Sequence, residues 1–168
     1  MEEGTKLHRD IEFFYNGLPQ TNQTIEYKYF QNFVRDHHYL RPFRTEWKIF
    51  IEEFKTAGTI DMVFEKPNGK LDIYDWKRCK QIKLRNNFKK FATLQGLEHV
   101  ADTNYMHYCL QLNIYKYILE KKYNYIVENM VLVCFHPLNR NKNYLLYRVP
   151  TMQKETDLIF SHIRSKLA

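Results

Sequence analysis

Two short apolar runs, Ile60–Phe64 and Leu71–Lys77, face each other across Lys66-Pro67-Asn68-Gly69-Lys70. An Asn-Gly pair inside a short polar bridge marks a hairpin, so the runs are expected to be antiparallel neighbours. Strand alternation then puts Leu71, Ile73, Asp75 and Lys77 on one face and Asp72, Tyr74 and Trp76 on the other. An apolar face that ends in an aspartate and a lysine constrains the fold strongly. Ionised groups there must be paired, hydrated or bound to a cation. Asp61 interrupts the first run in the same way, so Asp61 and Asp75 converge if the hairpin forms. Two adjacent carboxylates repel unless a cation lies between them, and an oxygen-only donor set suits Mg²⁺, with Mn²⁺ as a substitute. That chemistry fits phosphodiester hydrolysis, with Lys77 orienting water or meeting the developing negative charge. The competing reading of the same residues is a plain Asp75–Lys77 salt bridge at an exposed strand end.

The remaining pattern surrounds this hairpin with helices. Tyr27, Phe30 and Val34 predict an amphipathic helix over about Ile25–His38, N-capped by Thr24 and closed before Pro42. Phe43–Glu52 alternates Phe43, Thr45, Trp47 and Ile49 against Arg44, Glu46, Lys48 and Phe50, as a strand would. A helix is expected over Tyr105–Lys122, strands over Met130–Phe135 and Asn143–Val149, and a final helix over Thr151–Lys166. Residues 1–22 are polar, with turn signals at Asn16-Gly17 and Pro19, and give no clear element. The order implies a single α/β domain, a central mixed β-sheet flanked by helices.

Composition narrows the function classes. The chain has 168 residues and a net charge of +7, which attracts polyanions. No apolar run is long enough to span a bilayer, which takes roughly 18 residues. The charged start MEEGTKLHRD does not read as a signal peptide. Cys79, Cys109 and Cys134 are odd in number and form no CxxC motif. They point away from a disulfide framework and towards an intracellular setting, cytoplasm or nucleus.

The segments GTIDMVF, with Asp61, and LDIYDWK, with Asp75 and Lys77, resemble the signature of the PD-(D/E)xK nuclease superfamily, although Ile60 stands where its proline would precede the first aspartate. The sequence Gln111-Leu112-Asn113-Ile114-Tyr115 resembles the Gln-x-x-x-Tyr motif of the RecB-like branch, and four-residue spacing puts both side chains on one helix face. The stretch from Tyr105 to Glu120 also looks like nuclease domains of large DNA viruses and phages. The resemblance covers about residues 25–150. It implies a restriction-endonuclease-like αβββαβ core and a Mg²⁺-dependent deoxyribonuclease. It further implies Asp61, Asp75 and the Trp76 carbonyl as metal ligands, Lys77 beside the attacking water, and Gln111 and Tyr115 around the metal or phosphate. An acidic residue near Glu46 assists the metal site in such enzymes, and some use a helix histidine, for which His37 and His38 are the candidates.

From Lys77 to Lys90 the chain carries Lys77, Arg78, Lys80, Lys83, Arg85, Lys89 and Lys90 without an acid. Leaving directly from the Asp75 strand, Lys80, Lys83, Arg85, Lys89 and Lys90 are expected to track a nucleic-acid backbone. Phe88, Phe91 and Tyr105 are available to stack on bases. There is no phosphate-binding Gly-x-x-x-x-Gly-Lys-Ser/Thr loop, four-cysteine set, zinc finger or helix-turn-helix pattern. A compact nuclease acting on single- or double-stranded DNA with little sequence specificity is the leading expectation, with a helicase or replication protein as a partner. The alternatives are a non-catalytic nucleic-acid-binding module on the same fold and a scaffold subunit of a repair or replication complex.

Overall fold

A computed structural model describes residues 3–79 and 104–168. Helices α1 (Glu3–Tyr15) and α2 (Ile25–Asp36) come first, followed by strands β1 (Arg41–Ile51), β2 (Thr56–Glu65) and β3 (Leu71–Lys77). Helix α3 (Asn104–Lys122), strands β4 (Val127–Cys134) and β5 (Leu145–Arg148), and helix α4 (Gln153–Leu167) complete the order. Among the described residues five strands form one mixed sheet in sequential order. Within it only β3 and β4 are parallel, and α3 lies on the crossover between them, as a parallel pair requires. The fold is therefore α/β, with a five-stranded mixed sheet flanked by four helices.

The hairpin forms as its sequence dictates. Gly69 takes φ +83, a conformation that glycine adopts freely. The Asn68 side chain accepts from the Lys70 amide at 2.9 Å. Met62–Glu65 pair antiparallel with Leu71–Tyr74. Thr24 Oγ1 accepts from the Tyr27 amide at 3.2 Å. That bond caps α2, which ends at Asp36, short of the His38 expected from the sequence pattern.

Each face of the sheet has its own core. Leu71, Ile73 and Leu132 pack with Leu112, Ile118 and Leu119 of α3 and with Phe160 of α4. Tyr74, Trp76, Met62 and Val133 pack with Leu7 and Ile11 of α1 and with Phe30 and Phe33 of α2. The polar stretch 1–22 thus hides an amphipathic helix, recognisable only by the spacing of Leu7, Ile11 and Phe14. Arg78, just beyond β3, joins both early helices: its guanidinium meets Glu26 of α2 at 2.8 Å and Glu3 of α1 at 2.6 Å.

One expectation for β1 fails. Thr45 accepts from Asn16, just past α1, and pairs with Met62, whereas Trp47 packs in the opposite core and pairs with Ile60. Thr45 and Trp47 therefore do not share a face. The alternation breaks at Glu46, whose φ of +43 is left-handed. A register shift also lies between Pro42 and Arg44, as at a β-bulge.

The Cys79 and Cys134 sulfurs lie 3.4 Å apart as free thiols. Among the described residues no helix is long and apolar enough to cross a membrane.

Asn113, 2% exposed, ties α3 to the approach of α4. It donates to the Cys109 and Pro150 carbonyls and accepts from the Met152 amide at 2.7 Å. Asn113→Leu removes these partners and is expected to cost about 2–4 kcal/mol in urea unfolding, because buried polar groups lose their bonds. An unchanged midpoint would contradict this role.

Candidate active site

The strand registers bring three acids into one row. The β2–β3 pairing, continued past Met62↔Tyr74, sets Asp61 opposite Asp75, and the β1–β2 pairing brackets Glu46 opposite Asp61 between Thr45↔Met62 and Trp47↔Ile60. Glu46, Asp61 and Asp75 are consecutive across β1, β2 and β3, and Leu132 continues the row on β4. The break in pleat at Glu46 occurs in this row. A non-glycine residue at positive φ stores strain, a cost tolerated where the surroundings hold it in place.

Asp61 accepts from the Trp76 amide at 2.9 Å and pairs with the His8 ring, whose Nε2 stands 3.3 Å away. The Asp61 and Asp75 carboxyls are also in hydrogen-bonding contact with each other. Burial works against the Asp61 carboxylate, but His8, the shared contact with Asp75 and the Trp76 N–H together hold its pKa below the usual range. Asp75 is shifted the other way, upward, by burial and then by the charge of Asp61, against the opposing pull of Lys77. The two carboxyls are therefore pushed in opposite directions and titrate as a pair, not as independent groups.

Lys77 Nζ is 2.6 Å from Asp75 Oδ2 and 4.1 Å from the centre of the Tyr108 ring. The ion contact is close, yet no donor is aligned on Asp75 Oδ2 with hydrogen-bond geometry, so this buried oxygen keeps unused acceptor capacity. Burial disfavours the Lys77 ammonium, but Asp75 and Asp61 more than offset that and raise its pKa. The expected Asp75–Lys77 salt bridge is real, but it lies inside the acid row rather than on an exposed strand end.

Burial, the Asp61 charge and Glu12 push the Glu46 carboxyl up to about 7, with His8 opposing. The other two motif residues lie on α3. Tyr115 is buried, and burial first, then the charges of Asp75 and Asp61, push its hydroxyl up to about 12. Gln111 is exposed beside it. Tyr115 fits because β2 has a glycine beneath it: a Cβ on Gly58 would lie 2.3 Å from Tyr115 Cε1.

The residue that sequence reasoning missed is His8. Its Nδ1 bonds the Gly4 carbonyl at 2.8 Å. A second bond of this kind fixes an imidazole ring, and here it aims Nε2 at Asp61. Burial alone would lower the His8 pKa, but the Asp61 hydrogen bond and charge, Gly4 and Asp75 raise it to about 9. His37 and His38 are elsewhere, at the end of α2. His37 stacks on Phe33 with ring centres 4.4 Å apart and bonds the Phe33 carbonyl, while His38 bonds that of Arg35. Arg78 is engaged by Glu3 and Glu26, which removes it from the basic run. Lys80, Lys83, Arg85, Lys89 and Lys90, with Phe88 and Phe91, lie outside the described residues.

Among the described residues no three His, Cys, Asp or Glu side chains already surround one point as a cation site. The acids are drawn onto His8 and onto each other instead. The site's oxygen donors nevertheless suit a hard divalent cation: the Asp61 and Asp75 carboxylates, one Asp75 oxygen of which has no aligned donor, with the His8 imidazole as an adjoining nitrogen.

No family model matches the chain, and no curated protein matches it. A protein of Eubacterium rectale, assigned by name as an exonuclease, superimposes with a TM-score of 0.58 at 10% identity, over 99% of this chain and 65% of that one. The chain shares the fold of that protein. The structure of SSO0001 aligns with 82% of this chain at 14% identity, but its TM-score of 0.42 is too loose to bear on the fold. The chain spans 55% and 65% of the lengths of these two proteins.

Two substitutions test the local geometry. Gly58→Ala should destabilise by about 1–3 kcal/mol in denaturant unfolding through its collision with Tyr115, and Tyr115→Ala in the same chain should recover part of that loss. Simple additivity of the two would contradict the close approach. Glu46→Gly should unfold at higher denaturant than Glu46→Ala, by about 1 kcal/mol, since only glycine takes positive φ freely. Equal midpoints would mean that the kink at Glu46 is unstrained.

Proposed function

We propose that this chain is a metal-dependent nuclease of the PD-(D/E)xK superfamily, RecB-like branch, which hydrolyses phosphodiester bonds in DNA with little sequence specificity. The observation that carries the reading is the row Glu46–Asp61–Asp75, with Lys77 beside its last member. A nuclease-like fold agrees with it, and so does a Gln111–Tyr115 pair whose hydroxyl senses both aspartates.

Asp61, Asp75 and the Trp76 carbonyl would hold Mg²⁺ or Mn²⁺, with His8 as a further ligand, its ring already fixed through Gly4. A divalent cation held there supplies Lewis-acid polarisation of the phosphodiester and makes water a better nucleophile near neutral pH. The remaining work falls to side chains of this chain. Lys77 stays protonated and donates to the attacking water or to a phosphate oxygen on which charge develops. Tyr115 and Gln111 donate to the phosphate from α3. Glu46 is a third carboxylate within electrostatic reach of Asp61. Lys80, Lys83, Arg85, Lys89 and Lys90 would follow the DNA backbone away from the cut.

A second reading, a nucleic-acid-binding module that does not cleave, draws support from the way His8, the Trp76 amide and Asp75 already occupy Asp61. Paired, buried carboxylates argue against it, since they repel a polyanion unless a cation accompanies it.

With single- and double-stranded DNA and Mg²⁺, the wild-type chain should cleave, and Asp75→Asn or Lys77→Ala should lower the rate by about 10²-fold or more. Binding by all three forms with cleavage by none would establish the second reading instead.

A further inference from the structure

The β1–β2 hairpin continues beyond the acid row as an open surface. Past the kink at Glu46, Trp47, Ile49 and Ile51 pack in the core beneath α3. Lys48 and Phe50 must therefore point to the opposite face, together with their register partners Thr59 and Ala57. Asn16, just past α1, meets this hairpin at Thr45, and His8 of α1 meets it at Asp61. Next along the hairpin lies a shallow groove of about 370 Å³, lined by Lys48, Ile49, Phe50, Ala57, Gly58 and Thr59.

Three features give the groove a chemical preference. Lys48 is exposed and forms no ion pair among the described residues. Phe50 is 38% exposed, so its ring is open to a ligand from this face. Its main chain is held from α3: the Phe50 N–H donates to the Tyr123 hydroxyl at 3.3 Å, and its carbonyl accepts from Lys122 Nζ. Lys122 Nζ also lies 5.2 Å from the Phe50 ring centre, so a second cation borders the aromatic surface. The groove adjoins the acid row along the chain, because Lys48 and Thr59 stand two residues from Glu46 and Asp61 on their strands.

We propose that this groove is the track for one unpaired strand of nucleic acid, next along the β1–β2 hairpin from the acid row, a proposal that rests on the nuclease reading above. Lys48 contacts a backbone phosphate and Phe50 stacks on a base. The occupant is nucleic acid rather than protein because cations and a flat ring stand side by side, next to carboxylates suited to phosphodiester chemistry. Stacking on Phe50 needs a base free of its complement, so the substrate class is single-stranded nucleic acid or an opened duplex end.

The test uses the full chain in Mg²⁺-free buffer with EDTA, a fluorescent oligothymidylate, and a blunt hairpin duplex. Phe50→Ala should weaken oligothymidylate binding by about 5- to 100-fold, the range for losing one stacked base, while Phe50→Tyr retains it. Lys48→Ala should reduce the slope of log affinity against log salt by about 1. Duplex binding should not respond to Phe50→Ala. Thermal unfolding of each variant, expected unchanged at these exposed positions, separates lost contact from lost fold.

Wild-type affinity in Phe50→Ala overturns the track. So does equal weakening of single strand and duplex by Lys48→Ala with no effect at Phe50, which would make the groove a general anion-binding surface. Cleavage assayed separately in Mg²⁺ distinguishes the two proposals. A wild-type chain that cleaves while Phe50→Ala binds normally keeps the nuclease and loses the track. A chain that binds through Phe50 yet never cleaves keeps the track and loses the nuclease.

Discussion

The carboxyl groups of Asp75, buried, and Asp61, half-buried, meet on neighbouring strands, and much of the surrounding structure serves to make that contact tolerable. Burying one carboxylate is costly, and burying two in contact is more so unless donors and cations surround them. The Trp76 amide and His8 hold Asp61 in its charged form, and Lys77 lies against Asp75. A structural salt bridge needs only one acid and one base. Here Glu46 adds a third acid to the row, and Asp75 keeps a buried oxygen without an aligned donor. That excess of acceptors over donors fits a cation better than it fits stability.

Helix α1 closes the site, and it is itself held from the site's own strand. Arg78 stands one residue beyond Lys77 and reaches back to Glu3 of α1 and to the buried Glu26 of α2. The chain therefore fixes the helix that carries His8 with the residue next to its proposed catalytic lysine. Leu7 and Ile11 add the apolar part of this docking, against the same core as Trp76. Any looseness in that docking would let His8 swing away from Asp61, and the Gly4 carbonyl would then no longer aim the ring at the site.

The hairpin, its register and the Asp75–Lys77 face were legible in the sequence because period-two alternation and an Asn-Gly turn are local signals. The site's other parts were less so, for identifiable reasons. His8 was hidden because α1 alternates a few apolar residues with many charges, and its partner Asp61 is far away along the chain. The alternation expected for β1 failed at Glu46, because a single left-handed residue turns the pleat over and no side-chain pattern announces it. Nothing local in the sequence marks Gly58, yet its missing Cβ is what lets Tyr115 lie against β2. Tyr115 itself was marked by its spacing from Gln111. Each of the hidden features depends on distant residues meeting, which a local pattern cannot encode.

The central claim is that the buried acids form a divalent-cation site, and direct binding of Mn²⁺ tests it without requiring any substrate. Titration of the purified chain with Mn²⁺, followed by electron paramagnetic resonance of the free ion and by thermal unfolding, should show saturable binding that raises the unfolding temperature. Asp61→Asn and Asp75→Asn should abolish both effects, and His8→Ala should weaken them. If the wild-type chain binds no Mn²⁺, or if Asp75→Asn binds it as well as the wild type does, the acids are not a metal site and the account fails.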